Sequence, residues 1–543
     1  MTSTVVEAET VSQDSPETVW WKGAVIYQIY PRSFQDSNGD GVGDLAGIID
    51  RLDHVASLGV DGVWLSPFFT SPMADFGYDI ADFTDVDPIF GTLADFDRLI
   101  AKAHGLGLKV IIDQIYSHSS DQHKWFEESR QSRDNPKADW YVWADANPDG
   151  TPPNNWQSVF GMGAWQWDAR RAQYYLHNFL VEQPDLNLHH PDVQNAILDV
   201  TRFWLDRGVD GFRLDALNFG MHDTELRDNP VETVFKRPPT RPFDFQRHTR
   251  SMSHPDIVGF IERVAAVINE RDGCFTVAEV GGPFPLEEMK AFTQGDERLN
   301  SAYNFDFLYL ENLTAENIRS TQADWPNETA GEGWPSWAFS NHDAPRAISR
   351  WAGDCDLDHY AKLIALLLMS LRGNVFVYQG EELGLPQADV PYDRLVDPEA
   401  IVNWPETLGR DGARTPMPWR NDGNDLAGFS TVEPWLPMTE PHVDLAVSAQ
   451  EENPNSVLNF YREAIALRRQ CRALREGRID ILKTSKDLLA FTRREGAEAK
   501  ICIFNLTDKS LELNIPFGEI FIQVGEHSKD GQLPAYSGFI AAL

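Results

Sequence analysis

Three carboxylates stand at the ends of short apolar runs: Asp215 in GFRLDAL, Glu279 in FTVAEV and Asp343 in AFSNHDAPR. Such positions need a reason, because the interior of a barrel-type sheet is filled by branched aliphatic side chains while its carboxyl-end face carries the chemistry. Arg213 lies two residues before Asp215, hence on the same face of a strand. Three convergent acids supply what cleavage of a glycosidic bond requires: a nucleophile, a proton donor and further negative charge for an oxocarbenium-like transition state. A single Asp or Glu is more often a surface or cap residue, so the weight rests on the set of three strand ends.

A second group has different chemistry. DSNGDGVGD presents Asp36, Asn38, Asp40 and Asp44 at alternate or near-alternate positions, with glycines that let the loop curl. Hard oxygen ligands so spaced suit Ca²⁺ or Mg²⁺. The distal Glu of a complete EF-hand loop is missing, which leaves a lone structural site or an Asp-rich turn without metal. His104, His123 and His254 are scattered and read as surface or structural side chains. No GxGxxG fragment follows a strand, so no nucleotide site is indicated, and no organic cofactor is expected.

The elements that must hold these acids are legible as eight runs rich in β-branched and aromatic residues. They are AVIYQIY (24–30), GVWLSP (62–67), KVIIDQ (109–114), GFRLDA (211–216), CFTVAE (274–279), YNFDF (303–307), WAFSN (337–341) and VFVYQG (375–380). Amphipathic segments such as LAGIIDRLDHVASLG and VQNAILDVTRFWLDRG lie between several of them. This alternation predicts an α/β fold, a closed (β/α)8 TIM barrel with inserted lid subdomains and a C-terminal antiparallel β domain. The expected boundaries are a tail over 1–20, a barrel over 21–116 and 188–455, an inserted subdomain over 117–187, a second insertion over 381–431 after the eighth strand, and a C-terminal helix and β domain over 456–543. Long connections in compact proteins are usually functional or form small subdomains. The two insertions are therefore expected to act as lids, and the stretch 218–255, containing KRPPTRPFD, to border the substrate.

Composition removes other classes. The 543 residues carry 83 Asp plus Glu against 47 Lys plus Arg, a formal charge of −36, which repels a phosphate backbone. A nucleic-acid partner is not expected; a neutral small molecule is. The start, MTSTVVEAETVSQDSPET, lacks the basic and apolar segments of a secretory signal, and the richest apolar run, Leu363 to Leu371, is far shorter than the ~18 residues of a span. No membrane association is expected. Cys274, Cys355, Cys471 and Cys502 form no CxxC or Cys/His pattern, which indicates neither a disulfide framework nor zinc, and a cytoplasmic protein.

The ordered segments DGVWLSP, GYDI, GFRLD, AEV and SNHD resemble the motifs of glycoside hydrolase family 13, the α-amylase family. QPDLN (183–187) and RTPMPW (414–419) are similar to its oligo-1,6-glucosidase and α-glucosidase branch, and the resemblance runs from Trp21 onward. It implies that Asp215 is the nucleophile of a β-glucosyl-enzyme, that Glu279 is the general acid and then base, and that Asp343, with His342 beside it, binds the sugar hydroxyls at C2 and C3. Arg213 would keep Asp215 ionised. Tyr78 would stack on the terminal glucose, Asp79 and Arg414 would clamp its O4 end and close the pocket, and His118 would contact O6. The residue before His118 is Ser117 where the family has Asn, which puts the support of that histidine in question. Phe160 and Phe179 resemble aromatics that border the sugar. In the metal loop the resemblance adds the Val42 carbonyl to Asp36, Asn38, Asp40 and Asp44.

The implied activity is a retaining, exo-acting α-glucosidase on short oligosaccharides. The residue after the nucleophile tends in this branch to be Val in α-1,6-acting enzymes and smaller or polar in α-1,4-acting ones. Ala216 therefore favours maltose-type substrates or sucrose. Oligo-1,6-glucosidase, glucosyl transfer and sucrose isomerisation share the same intermediate and stand as alternatives. A non-catalytic relative of the transporter-ancillary kind would need a membrane anchor and would generally lack the full acid set. The assembly is expected to be a monomer or homodimer.

Overall fold

The computed structural model describes residues 19–235, 238–323, 325, 333–407, 409–423, 426–526 and 531–543. The acidic leader 1–18 and the first two residues of KRPPTRPFD lie outside the described residues. Eight strands close into an all-parallel barrel: β1 (Val25–Ile29), β2 (Gly62–Leu65), β3 (Lys109–Ile115), β4 (Gly211–Asp215), β5 (Phe275–Val280), β6 (Ser301–Asn304), β7 (Trp334–Ala338) and β8 (Asn374–Tyr378). Each strand pairs with its predecessor, and β8 returns to β1 through the register Val25↔Val375 to Gln28↔Tyr378. The barrel read from the eight apolar runs is the barrel of the structure.

Side chains alternate between two cores, as strand geometry demands. Ile26, Trp64, Ile111, Val277, Tyr303 and Phe376 form one buried cluster, while their strand neighbours Val25, Val63, Val110, Ala278 and Val375 join the larger cluster against the helices. Two strands begin earlier than their apolar runs, β6 at Ser301 and β7 at Trp334. Their first turns are held by polar contacts: Ser301 Oγ donates to the Trp334 carbonyl at 2.6 Å and lies 2.6 Å from Ser336 Oγ. A serine rung and Pro335 break the hydrophobic pattern, which is why the sequence pattern starts late there.

The outer layer includes α1 (Leu45–Ser57), α2 (Leu93–Gly105), α3 (Pro191–Asp206), α4 (Ile257–Ile268), α5 (Pro285–Thr293), α6 (Ala315–Ala323) and α7 (Leu357–Ser370). In α3 the apolar stripe Val193, Ile197, Val200 and Trp204 follows helical spacing and is buried, worth about 1.5–3 kcal/mol per large side chain. Pro191 opens the helix, and Gly208, at φ +92°, lets the chain turn away after it. The Leu-rich run near Leu363 is buried within α7, and among the described residues no helix is long and apolar enough to cross a membrane.

Between β3 and α3 the chain builds a three-stranded antiparallel sheet (Trp143–Ala144, Gln173–Leu176, Trp165–Asp168) with its own core of Val142, Trp156, Trp165 and Leu176. Between β8 and residue 456 the described residues form short helices, among them Pro398–Asn403 and Asp411–Ala413. Helix α8 (Val457–Gln470) leads into a five-stranded antiparallel sheet of β9 (Arg478–Ile481), β10 (Leu488–Glu495), β11 (Glu498–Asn505), β12 (Ile520–Val524) and β13 (Ser537–Ala542), in the order β9-β10-β11-β13-β12. Both faces of this sheet are covered. Leu489, Phe491, Cys502 and Phe504 join the main core, while Leu488, Ile501, Ile503 and Phe539 pack on Leu513 and Leu533. The buried Arg468 of α8 donates to the carbonyls of Gly23, Met369, Leu371 and Gly373 at 2.5–3.1 Å and fastens this unit to the barrel.

Candidate active site

The alternation that fills the barrel also delivers the acids. On β4, Phe212 and Leu214 face the helices, so Gly211, Arg213 and Asp215 turn inward. The register sets Arg213 beside Asp113 of β3 and sets Glu279 of β5 beside Tyr303 of β6. Gly211 lies so close to the Phe275 carbonyl that a Cβ there would sit 2.3 Å from its oxygen, so glycine lets β4 and β5 approach at this point. The guanidinium of Arg213, fully buried, is the hub. It donates to Asp113 at 2.8 Å, to Asp215 at 2.5 Å and to the Tyr303 hydroxyl at 2.9 Å, and it pairs with Glu279 through its second terminal nitrogen. Glu279 also accepts from the Tyr303 hydroxyl at 3.0 Å and from the Ala216 amide at 3.1 Å.

Burial raises the carboxyls of both Asp215 and Glu279 above their ordinary values; Arg213 opposes the rise, and the neighbouring acids reinforce it. Two buried carboxylates on one cation hold protons as a pair. Asp343 goes the other way. Burial works against its charge, yet the permanently charged Arg414 and Arg410 outweigh it and hold the carboxyl below the usual range. Arg414 donates to Asp343 at 2.8 Å, and an Arg410 nitrogen lies 3.5 Å away. His342, lowered to about 3 by burial, stays neutral between a 2.9 Å contact with Gln28 and a 2.5 Å contact with the Tyr78 hydroxyl.

These groups open on a cavity of about 1280 Å³. Asp75, Tyr78, His118, Asp215, Glu279, Asp343 and Arg410 are among the residues that line it. There Arg410 donates to Asp75 at 2.8 Å and to Asp397 at 2.8 Å, all three side chains being buried. This ion pair joins the turn after β2 to the insertion after β8 in the cavity wall. Val159, Phe160 and Phe179 come from the first insertion. Phe179 packs 4.9 Å from the His118 ring, and the Arg410 guanidinium lies over Phe160 at 5.1 Å. Ser117 does support His118, with its hydroxyl 2.9 Å from Nδ1, and Gln183 of QPDLN lies 3.1 Å from Nε2. Ala216, Phe219, Phe243, Met252 and Phe305 also line the cavity. Arg241, from the loop after β4, donates to Glu399 of the second insertion at 2.7 Å.

Several expected contact residues lie elsewhere. Asp79 does not line the cavity: its carboxylate accepts from the Ser71 hydroxyl and from the amides of Ala74 and Asp75, which closes the turn that carries Tyr78. Arg414 is fully buried behind Asp343 and donates to the His342 carbonyl at 2.7 Å. Where Asp79 and Arg414 were expected, the residues that line the cavity are Asp75 and Arg410. Arg213 and His342 likewise sit beneath the cavity floor and hold the groups that line it. Asp113 and Tyr303 were not anticipated. Asp113 stood in the KVIIDQ run as an acid inside a strand, which was a signal of the same kind as the other three.

The Asp-rich loop is ordered by its own side chains. Asp36 accepts from the amides of Asn38, Gly39 and Gly41 and from the Ser430 hydroxyl, Asn38 from the Asp40 amide, and Asp40 from the Val42 amide. Asp44 caps α1 through the Gly47 amide, a role worth about 1 kcal/mol, and accepts from Ser37. The oxygen donors fit a hard divalent cation in kind, and the loop has the curvature. Asp36 and Asp44 would each exchange a protein hydrogen bond for the ion.

Acids gathered over the carboxyl ends of an eight-stranded barrel define a (β/α)8 enzyme of the glycosidase class. The chain belongs to glycoside hydrolase family 13, in its α-glucosidase and oligo-1,6-glucosidase branch: the family model described as the alpha amylase catalytic domain matches residues 28–477. It is similar to a probable alpha-glucosidase of Rhizobium meliloti (strain 1021), 52% identical over 98% of this chain and 99% of that protein. An oligo-1,6-glucosidase of Heyndrickxia coagulans is 36% identical over 97% of this chain and 99% of that protein. Among solved structures, the alpha-glucosyl transfer enzyme XgtA superposes with TM-score 0.92 at 50% identity, covering 97% of this chain and 99% of that one. A MutB mutant in complex with the substrate sucrose superposes with TM-score 0.88 at 31% identity, covering 97% and 100%.

Proposed function

We propose that the protein is a retaining, exo-acting α-glucosidase that removes one terminal α-glucosyl unit from short oligosaccharides, maltose-type or sucrose before α-1,6-linked. The observation that carries this is the set of Asp215, Glu279 and Asp343 in one cavity with the buried Asp75–Arg410 ion pair, which would close the pocket beyond the terminal glucose. In the proposed reaction Asp215 Oδ attacks C1, the bond from C1 to the leaving oxygen breaks, and Glu279 gives that oxygen its proton. Water then attacks C1 of the β-glucosyl-Asp215 ester, Glu279 takes the proton back, and the released glucose is the α anomer. Asp215 and Glu279 touch adjacent nitrogens of one planar guanidinium. That supports the short separation of retaining enzymes, about 5–5.5 Å, over the about 6.5–9.5 Å that leaves room for a water between inverting acids.

Asp343, held ionised by its arginines, would bind the C2 and C3 hydroxyls and face the developing positive charge. Tyr78 and His118 would border the glucosyl ring. Asp75 and Arg410 would take its far hydroxyls and prevent a longer chain from passing through. The small Ala216 leaves the cavity wall open beside Glu279, which favours α-1,4 and sucrose-type substrates. A methylene or two in such a pocket is worth about 1–3 kcal/mol of discrimination. The apolar lining of the cavity, with Phe219, Phe243 and Met252, supports transglucosylation as a second outcome, because it can seat an acceptor sugar in place of water. In the Asp-rich loop, Asp36, Asn38, Asp40, Asp44 and the Val42 carbonyl would hold a structural Ca²⁺ or Mg²⁺, whose charge would brace the loop and take no part in the reaction.

The test is a panel of maltose, isomaltose, sucrose and trehalose with detection of product anomers. Early release of α-glucose from maltose or sucrose is expected; β-glucose as first product would refute the double displacement. Accumulation of transglucosylated or isomerised product with negligible glucose would move the assignment to a transferase. Asp215→Asn should lower turnover by about three orders of magnitude or more with the fold intact.

A further inference from the structure

Away from the catalytic cavity, one cluster of metal-ligating side chains joins two distant parts of the chain. A ring nitrogen of His189, a ring nitrogen of His254 and a carboxylate oxygen of Asp256 all lie within 4.8 Å of one another. The two rings stand edge to face with centroids 5.1 Å apart. We infer that His189, His254 and Asp256 form a binding site for a borderline transition-metal ion such as Zn²⁺, and that this ion ties the exit of the first insertion to the end of the loop after β4.

The donor set is that of such ions: imidazole suits Zn²⁺, and three protein ligands leave a coordination position for water. The protonation pattern supports it. His189 Nε2–H donates to the His222 carbonyl at 2.9 Å, so the lone pair of this ring resides on Nδ1. A metal-binding histidine is normally oriented in this way, with its other nitrogen fixed to a carbonyl or carboxylate. The imidazole of His222 stands edge to face 5.2 Å from the His189 ring and packs against the cluster.

Asp256 occupies the N-cap position of α4, where a carboxylate ordinarily accepts from the first turn, yet its side chain makes no cap hydrogen bond. It lies 3.7 Å from His254 Nδ1, which accepts a 3.4 Å hydrogen bond from the Asp256 amide. Asp256 is exposed, and His189 and His254 are partly exposed, so an ion can enter from solvent.

The placement has a mechanical meaning. His189 directly precedes His190, the N-cap of α3. His254 and Asp256 end the loop whose earlier residues, Phe243 and Met252, line the cavity. An ion held by both segments would brace that loop from outside without touching the reacting groups.

The test uses the full-length protein in buffer with excess Ca²⁺ and Mg²⁺, so that the oxygen-rich loop is saturated. Titration with Zn²⁺ by calorimetry and with Co²⁺ by visible absorption should show one site per chain with weak d–d bands of nitrogen and oxygen ligation, together with a raised unfolding temperature. His254→Ala and, separately, His189→Gln should each weaken binding by about 100-fold or more, since even an outer-shell change at a metal site costs 10–100-fold. Asp256→Asn should weaken it less. Failure of the wild type to bind either ion at millimolar concentration would overturn the proposal. So would unchanged binding in the double variant, or near-ultraviolet thiolate charge-transfer bands that assign the ion to a cysteine.

Discussion

The turn that carries Tyr78 shows how much depends on which of two neighbouring carboxylates faces the cavity. Asp75 pairs with Arg410 in the cavity wall, whereas Asp79, four residues on, is engaged by two backbone amides and a serine hydroxyl. The two should therefore respond differently to the same isosteric change. Asp75→Asn is expected to lower kcat/KM for maltose by about 10- to 100-fold, the 1.5–3 kcal/mol of a hydrogen bond to a charged group. Asp79→Asn should leave kcat/KM close to wild type and instead lower thermal stability, because one amide oxygen cannot replace a carboxylate that accepts from three donors. Kinetics and melting curves of the pair check this, and equal kinetic losses in both would remove Asp75 from its place. The sequence could not separate these residues, since both lie in ADFGYDI and neither spacing nor residue type states where a turn aims its side chains. Arg410 was hidden for a related reason: its partner Asp75 is 335 positions away, and its own segment also contains the more conspicuous Arg414.

At the level of elements, the acids at Asp215, Glu279 and Asp343 could be read because strand and function share one short segment. A run of apolar residues and the charged residue that ends it need no distant information. The same holds for α3, whose stripe and Gly208 stop are local. The first turns of β6 and β7 could not be read this way, because a serine contact between neighbouring strands replaces the apolar pattern there. Arg468 is another long-range device. In α8 it looks like one of several surface basic residues, yet it is fully buried and supplies donors to four carbonyls around α7 and β8. Arg468→Met should leave those carbonyls without their donor and destabilise the fold by about 3–5 kcal/mol, each unsatisfied buried group costing about 1–3. Turnover per folded molecule should stay unchanged. Denaturant unfolding measures the loss, and a variant within about 0.5 kcal/mol of wild type would show that water replaces the guanidinium.

Over the whole molecule, buried histidines give the protein an acid-labile component. Burial lowers His442 to about 4 and His118, His123 and His222 to about 3, so each is neutral in the folded state. In the unfolded chain a histidine titrates near 6.5. A group with a depressed folded pKa contributes stability that is present above the unfolded pKa and is lost as the pH falls towards the folded one. His442, whose Nε2–H donates to the Pro386 carbonyl, allows a clean test because it does not line the cavity. The unfolding free energy of His442→Gln should fall less steeply than that of wild type between pH 6.5 and about 4; equal slopes would show that this imidazole is protonated without cost in the fold.

The ion pair of Asp75 and Arg410 would also set the order in which molecules leave in the proposed reaction. If the pair closes the pocket beyond the terminal glucose, that glucose can depart only after the leaving-group side of the cavity has cleared. On the proposed reaction, the leaving-group sugar goes first and glucose last, and free glucose re-enters the form of the enzyme that awaits substrate. Glucose would then compete with substrate for that form, slowing the enzyme as product accumulates, and excess substrate would relieve the inhibition.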